Sequence, residues 1–434
     1  MAVTTTTFAA DAKNVYGVLK DQVGKEAKIF NLFRDGTQFA KPVNEIGING
    51  YTFLARLKPN YQLGYRPEGT TGVGTAGQQG LAQSTVSLKY AYVPTVITGQ
   101  AENLTKGNYR AFLQAKALEA KFDMKDLLSH INVVICGAER GGQLAQVKTG
   151  ATGTSFTVSR ASLLPGALYL SVGMPIDTGP VGGGTLTTQN NIITSLTYNS
   201  AADDTMVITT SATLATGDAI YLSGEAPSTS GAFPFTCEGF VSLVSDTGAR
   251  QGLNPATAGQ ETWASYVKDA GATTITSQLI METIQFVQNR GGVDVDSLYF
   301  PSSQINQLVG IATQNLRYNL DNPATLRKHA VDLGISSFQY GTRTIIEDKD
   351  LRNDRIYAGA SEEMCHFVAV PLSMADDEAG TWTRIIGSSA SIADAEAGLL
   401  RMYHQIGITQ RSAWGMLKNL TVPTSFAQNP SSLA

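Results

Sequence analysis

A chain of 434 residues and 46.1 kDa is too long for one small core, so two or three sub-structures on one backbone are expected, with no need of disulfide staples. Charged residues make up only 16% against 42% hydrophobic, so Ser, Thr, Gly, Gln and Asn, or other copies of the chain, must cover much of the surface. The 32 Lys and Arg against 36 Asp and Glu leave a formal charge of -4, which excludes the basic patch that tight, sequence-specific DNA binding requires.

In chain order, residues 1–12 are Thr-rich and without helical period, and an extended arm lying on a neighbour is expected. Val15, Leu19, Val23, Ala27 and Phe30 recur at helical spacing, interrupted by Gly17 and Gly24, and predict a short, imperfect helix. From Ile48 to Val96, the strand-like runs Tyr51–Leu57 and Thr85–Ala91 flank a Gly-, Gln- and Thr-rich tip from Gly69 to Gly80, which predicts one long two-stranded hairpin. Such a hairpin is not stable alone in water and needs partners for its edges and faces. From Asn108 to Ile135, Tyr109, Leu113, Ala117, Ala120, Met124, Leu127, Ile131 and Val134 follow a helical period that Gly137 stops, giving the longest helix of the chain.

Composition then shifts. Between Gln146 and Pro234 only Lys148, Arg160, Asp177, Asp203, Asp204, Asp218 and Glu225 carry charge, and Thr, Ser and Gly dominate. The runs Ser155–Val158, Ile192–Tyr198, Thr205–Thr209 and Gly217–Leu222 read as short strands of an inserted domain, a small β-barrel or sandwich. Beyond it, a helix from Thr276 to Asn289 stopped by Gly291-Gly292, a strand Leu298–Phe300 and a short helix from Ser302 indicate an α/β core. Strands follow at Thr342–Ile346, Arg355–Ala358, His366–Val370, Leu399–Thr409 and Gly415–Val422, and Ser425–Ala434 reads as an unstructured tail.

No constellation points to chemistry, and no catalytic, cofactor-binding or metal residue is assigned. Cys136, Cys237 and Cys365 are odd in number and lack metal-like spacing, as expected of reduced thiols in a cytoplasmic product. The opening residues lack a basic region before an apolar core, and no run of about 18 apolar residues suggests a membrane span. Gly72-Val73-Gly74-Thr75-Ala76-Gly77 fits G-x-G-x-x-G, but no strand leads through it into a helix, so an adaptable loop tip explains it better than a phosphate cradle. His130, His329, His366 and His404 are dispersed, and His130 on the long helix is expected at an interface or in solvent. Asp203-Asp204 and Asp376-Asp377-Glu378 read as solvated turns before calcium ligands, and the sequons Asn103-Leu104-Thr105 and Asn419-Leu420-Thr421 mean nothing without secretion. No G-x-x-x-x-G-K-[ST] and no G-x-S-x-G occurs, so an enzyme is not expected.

The order of arm, long hairpin, long helix, α/β core and closing strands resembles the Hong Kong 97-type major capsid proteins of tailed double-stranded DNA bacteriophages. The residues that carry the resemblance are Tyr16–Phe33, Asn49–Arg66, Gly291-Gly292-Val293-Asp294-Val295-Asp296-Ser297-Leu298-Tyr299-Phe300-Pro301-Ser302, Arg343–Leu351 and Ile356-Tyr357. None is a strict motif; together they cover most of the chain outside the insertion. The resemblance implies an α+β chain with the Hong Kong 97-like capsid fold: an extended hairpin loop, a spine helix, peripheral and axial domains, and an inserted all-β domain. The implied divisions are 1–47 arm and short helix, 48–97 extended loop, 98–145 peripheral domain with spine helix, 146–236 inserted domain, 237–398 axial domain with peripheral strands, and 399–434 closing strands and tail.

It further implies self-assembly into pentamers and hexamers of an icosahedral shell in the host cytoplasm, around double-stranded DNA contacted non-specifically, with the virion as destination. A wall without strong attraction for phosphates suits packing and release of DNA. A portal protein, a scaffolding protein and, optionally, a decoration protein are the implied further partners; a membrane is not one. Tilting of the spine helix and hairpin would fit one chain to pentamers and hexamers and to an expanding precursor shell. The sequence departs from the founding member in having no long charged helical segment at its start, so either the scaffold is separate or the sequence is already mature. Lys58 lies in the hairpin, but no acceptor or catalytic carboxylate matches, so no covalent crosslinks are expected; a ladder of oligomers on a denaturing gel would refute this. A bacterial encapsulin shell is the nearest alternative, disfavoured by the insertion, and a secreted adhesive β-protein would need an export signal.

Overall fold

The computed structural model describes residues 27–422 apart from 37–38, 44–49, 63–64, 66–67, 69–76, 99–108, 138–141, 150–151, 160–168, 182–183, 198–202, 227–234, 315–338, 341, 377–380 and 387–391. The arm over 1–12, the helix as read up to residue 26, most of the glycine-rich tip, His329 and the tail from Ser425 lie outside the described residues.

Helix α1 (Lys28–Asp35) buries Ile29, Phe30 and Phe33 on one face and ends at Gly36, whose φ of 59° is a conformation glycine adopts without a Cβ clash. Strands β1 (Ala40–Val43), β2 (Tyr51–Lys58) and β3 (Gly80–Val86) follow, and β2 and β3 pair antiparallel with Tyr51 opposite Val86 and Arg56 opposite Leu81. The hairpin predicted through Val96 is shorter. Its second strand ends at Val86, and β4 (Lys89–Thr98) pairs instead with the long strand Ile392–Ile408, Lys89 opposite His404 and Thr98 opposite Ala395. Alternation with period two persists across the break, so the pattern marks strand without marking the partner.

Helix α2 (Tyr109–Gly137) has 29 residues and spans about 43 Å at 1.5 Å per residue. Every residue from Ile131 to Gly137 is buried, because two cores claim this end. Ile131, Val134 and Ile135 join α1, Phe240 and Trp414, while Val133 enters a separate core. That second core fills a closed barrel of β5 (Ala145–Thr149), β6 (Thr152–Ser159), β7 (Pro175–Gly179), β8 (Thr188–Thr197), β9 (Asp203–Thr213) and β10 (Ala219–Leu222), in the order β10-β5-β6-β9-β8-β7. Val147, Phe156, Val158, Ile176, Ile193, Ile208 and Ile220 point inward, and closure removes the exposed edges that so polar a set of strands would otherwise present.

A mixed six-stranded sheet forms the α/β part: β11 (Tyr266–Thr273), β12 (Ser297–Phe300), β13 (Gln339–Tyr340), β14 (Arg343–Glu347), β15 (Ile356–Gly359) and a last strand Trp414–Leu420, in the order β11, last strand, β15, β12, β14, β13. Helix α3 (Ser277–Gly291) is capped by Thr276, whose Oγ1 accepts from the Leu279 N–H at 3.3 Å, and is ended by Gly292 at φ 66°. Its Ile280, Ile284 and Val287 pack on Leu298, Phe300, Ile356 and Leu417, joined by Ile305 and Leu308 of α4 (Ser302–Gln314). Tyr299, Tyr357, Trp414 and Met416 face the other way, onto Phe240, α1 and the end of α2. Both faces are covered, so these strands read as continuous apolar runs. Gly359 is required here, since a Cβ on it would lie 2.3 Å from the Trp414 ring.

The remaining sheet has β16 (Met364–Met374), β17 (Trp382–Ile386) and β18 (Ile392–Ile408) in the order β1-β16-β18-β17, with β4 also on β18. With the last strand as β19 (Trp414–Leu420), the set is complete among the described residues.

Candidate assembly surface

The hairpin has two unlike faces. Phe53, Ala55 and Leu57 turn inward, and Phe53 packs on Trp263 at 6.3 Å between ring centroids. The Thr85 N–H donating to the Gln251 carbonyl at 2.9 Å pins the base, and Thr262 Oγ1 donating to the Leu57 carbonyl at 2.8 Å pins the end of β2 next to the tip. Alternation therefore turns Thr52, Leu54, Arg56 and Lys58 outward, beside Gln83 and Leu81 of β3. Leu54 is 72% exposed and Leu81 60%, and as diagonal neighbours across the pair they form one apolar spot edged by Arg56 and Lys58. Tyr61 and Tyr65 are exposed as well, and the Lys58 Nζ lies 5.6 Å from the Tyr61 ring centroid.

A second exposed apolar surface lies on the sheet of β4 and β18. Tyr90 and Tyr92 turn outward beside Tyr403 and Arg401, and the Tyr90 ring meets the Tyr403 ring edge-on at 4.9 Å. Leu399, opposite Pro94, extends the patch. Nearby, a groove of about 550 Å³ opens where β4, α2 and the end of the barrel meet, lined among others by Tyr90, Tyr92, Glu225 and Phe235. Exposed apolar surface of this kind marks an interaction surface.

The residues singled out in the sequence separate sharply. His366 and His404, far apart in the chain, meet on β16 and β18 with Nε2 and Nδ1 3.3 Å apart, and the Phe30 ring lies edge-on to both at 5.3 and 5.8 Å. Burial pushes His366 down to about 3, helped by His404 and Arg34, and burial alone pushes His404 down to about 4. The pair is a neutral core element that only the cross-strand register, invisible to spacing rules, brings together. Because the folded values lie below the ordinary 6.5, the stability tied to the neutral rings is complete above that pH and is lost as pH falls toward 4. His366→Leu is expected to lower the midpoint of acid unfolding followed by tryptophan fluorescence.

Of the two places expected for His130, open solvent does not hold: it is half-buried and its Nε2 lies 2.8 Å from Glu225 Oε1 at the barrel. All three cysteines are buried and unbridged. Gly72–Ala76, Asp377, Glu378 and Asn103 lie outside the described residues. Among the described residues no group of three His, Cys, Asp or Glu is arranged to hold a metal, and no helix is long and apolar enough to cross a membrane. The sequence reading missed the buried pair Asp348 and Asp350, which the Asp-x-Asp spacing after β14 alone could have flagged.

With this geometry in hand, solved structures give the comparison. Over 94% of this chain and 96% of the other, the fold is similar to that of a chain of the cyanophage A-1(L) capsid asymmetric unit, with a TM-score of 0.51 and 12% identity. A chain of Gordonia phage Cozz overlaps 97% of this chain and 96% of its own at a TM-score of 0.46 and 10% identity. The capsid of the Myoviridae phage XM1 overlaps at 95% and 98%, with a TM-score of 0.43 and 13% identity. No family profile and no curated protein matches the sequence. The fold is thus mixed α/β and strand-rich, with a phage capsid chain as structural neighbour.

Proposed function

We propose that this chain is the major capsid protein of a tailed phage, whose copies form pentamers and hexamers and close into an icosahedral head around double-stranded DNA. The observation that supports the reading is the whole-length likeness to a chain of the cyanophage A-1(L) capsid, which spans nearly all of both chains. In this reading the fold is the Hong Kong 97-like one, with β2–β3 as the extended loop, α2 as the spine helix, and the barrel as the inserted domain. The exposed Leu54 and Leu81 on the loop and the tyrosines of β4 support self-association through many modest interfaces closed by symmetry. The chain acts by binding and not by catalysis; portal, scaffold and decoration proteins are its partners besides itself, and DNA touches its inner wall without sequence preference. The virion is its destination.

The test is negative-stain electron microscopy of the purified chain, alone and with the candidate scaffold from the neighbouring reading frame. Closed shells of uniform diameter are expected in at least one condition. Monodisperse monomers in both would end the shell reading.

A further inference from the structure

Gln251 sits in a backbone conformation that a glutamine does not favour. Residues 250–253 form a tight turn closed by two bonds, the Arg250 N–H donating to the Leu253 carbonyl at 2.8 Å and the Leu253 N–H to the Arg250 carbonyl at 2.9 Å. Both central residues have positive φ, 53° at Gln251 and 82° at Gly252, as in a type I′ turn. Glycine suits the second place, but the first favours Asn, Asp or Gly, and glutamine there is strained. Strain that persists in a packed site points to a task for the side chain that causes it.

The contacts of Gln251 show that task. The residue is 7% exposed. Its backbone carbonyl accepts from the Thr85 N–H at 2.9 Å and from the Ser84 hydroxyl at 3.2 Å, both on β3 near the base of the hairpin. Its side-chain amide, in the orientation that satisfies both ends, donates to the Ile408 carbonyl and accepts from the Ile408 N–H, each at 2.9 Å. The side chain thus makes the paired rung on β18 that a neighbouring strand would make. The place is open to it because the register of β4 on β18 ends with Lys89 opposite His404. Gly407 leaves the room, since a Cβ there would lie 2.6 Å from the end of the Gln251 amide.

Gln251 therefore spans the break at Ser87-Leu88, where the chain leaves the hairpin and joins the sheet of β4 and β18. Its main chain holds β3 and its side chain holds β18. The Tyr51 ring also stacks on Phe367 at 4.8 Å, but an apolar contact is non-directional and fixes no angle. The geometry points to Gln251 as a positioning residue, a brace that sets the lean of the hairpin against the body. On the capsid reading above, on which this consequence rests, the brace presents every hairpin to its neighbour at one angle and so keeps the shell to one diameter.

Two variants separate the brace from the turn. Gln251→Asn and Gln251→Gly suit the turn at least as well as glutamine, so a residue that only formed the turn would be replaced without loss. Neither can make the paired bonds to Ile408, because asparagine is one methylene too short and glycine has no amide. Hydrogen exchange of the full chain, kept below the concentration at which it assembles, is expected to run at least about threefold faster over residues 80–87 in both variants. Relief of the turn offsets the lost bonds in the global balance, so residues 297–300 in the centre of the other sheet should stay within about twofold of wild type. Wild-type exchange over 80–87 in Gln251→Gly overturns the brace. Equal acceleration over 80–87 and 297–300 overturns it too, by making Gln251 a general support of the fold. Electron microscopy of assembled variants should show a broadened spread of particle diameters, and one wild-type diameter despite a loosened hairpin overturns the control of shell size. If the wild type itself forms no shells, the capsid reading fails, and the exchange result alone decides the brace.

Discussion

Leu54→Asp together with Leu81→Asp is expected to abolish closed particles while leaving the fold of the single chain intact. Both side chains lie on the outward face of the hairpin, 72% and 60% exposed, and the inward residues Phe53, Ala55 and Leu57 that anchor it are untouched. Exposed substitutions of this kind shift stability by only about 0.5 kcal/mol. Burial of each leucine against a neighbour contributes about 1.5–3 kcal/mol, so losing two, and adding a charge to desolvate at each, weakens a pairwise contact by well over a hundredfold. In a closed shell every subunit repeats the loss, and assembly is cooperative in it. Analytical ultracentrifugation should show the particle boundary vanish at concentrations where the wild type assembles, with far-ultraviolet circular dichroism unchanged. Particles at wild-type concentration would mean that the hairpin face is not a contact.

Elements with strong local signals were legible in the sequence. The long helix, predicted over Asn108–Ile135, runs Tyr109–Gly137, and the helix stopped by Gly291-Gly292 runs Ser277–Gly291 with the cap at Thr276. Both carry a period of apolar positions and a glycine stop. Strands β7 and β11 were not read, because Pro-Ile-Asp-Thr-Gly offers a single strong apolar residue and Tyr-Val-Lys-Asp-Ala-Gly-Ala-Thr is broken by Lys-Asp and Gly; each is held by its neighbours in the sheet and not by its own propensity. The partner switch at Ser87-Leu88 was invisible for the same reason. Of the candidate surface, the hairpin was legible as a surface needing partners, but its outward residues were not, since facing is set by which side meets Trp263. Nor were the meetings of His366 with His404 and of Asp348 and Asp350 with Asn132 and Tyr169, which are products of register and packing across the chain.

Arg411→Met is expected to cost the chain about 4 kcal/mol, a large share of the stability of any domain. Arg411 is 1% exposed and spreads its guanidinium over backbone carbonyls: Nε donates to Leu243 at 2.9 Å, Nη1 to Trp263 at 3.2 Å and Gly248 at 3.4 Å, and Nη2 to Thr247 at 3.2 Å. Burial, with Arg250 nearby, lowers its value to about 10, so it stays charged at neutral pH, with Glu238 and Asp246 partly offsetting the penalty. Methionine fills much of the volume but orphans carbonyls that only partly regain water, each at about 1–3 kcal/mol. Arg411→Lys should recover less than half, because an ammonium cannot serve so spread a set of acceptors. The same loop presents the Gln251 carbonyl to Thr85 and the Trp263 ring to Phe53, so Arg411 also fixes the base of the hairpin. Urea unfolding reads the first effect and particle yield the second. A loss under about 1 kcal/mol would mean that those carbonyls are satisfied without the guanidinium.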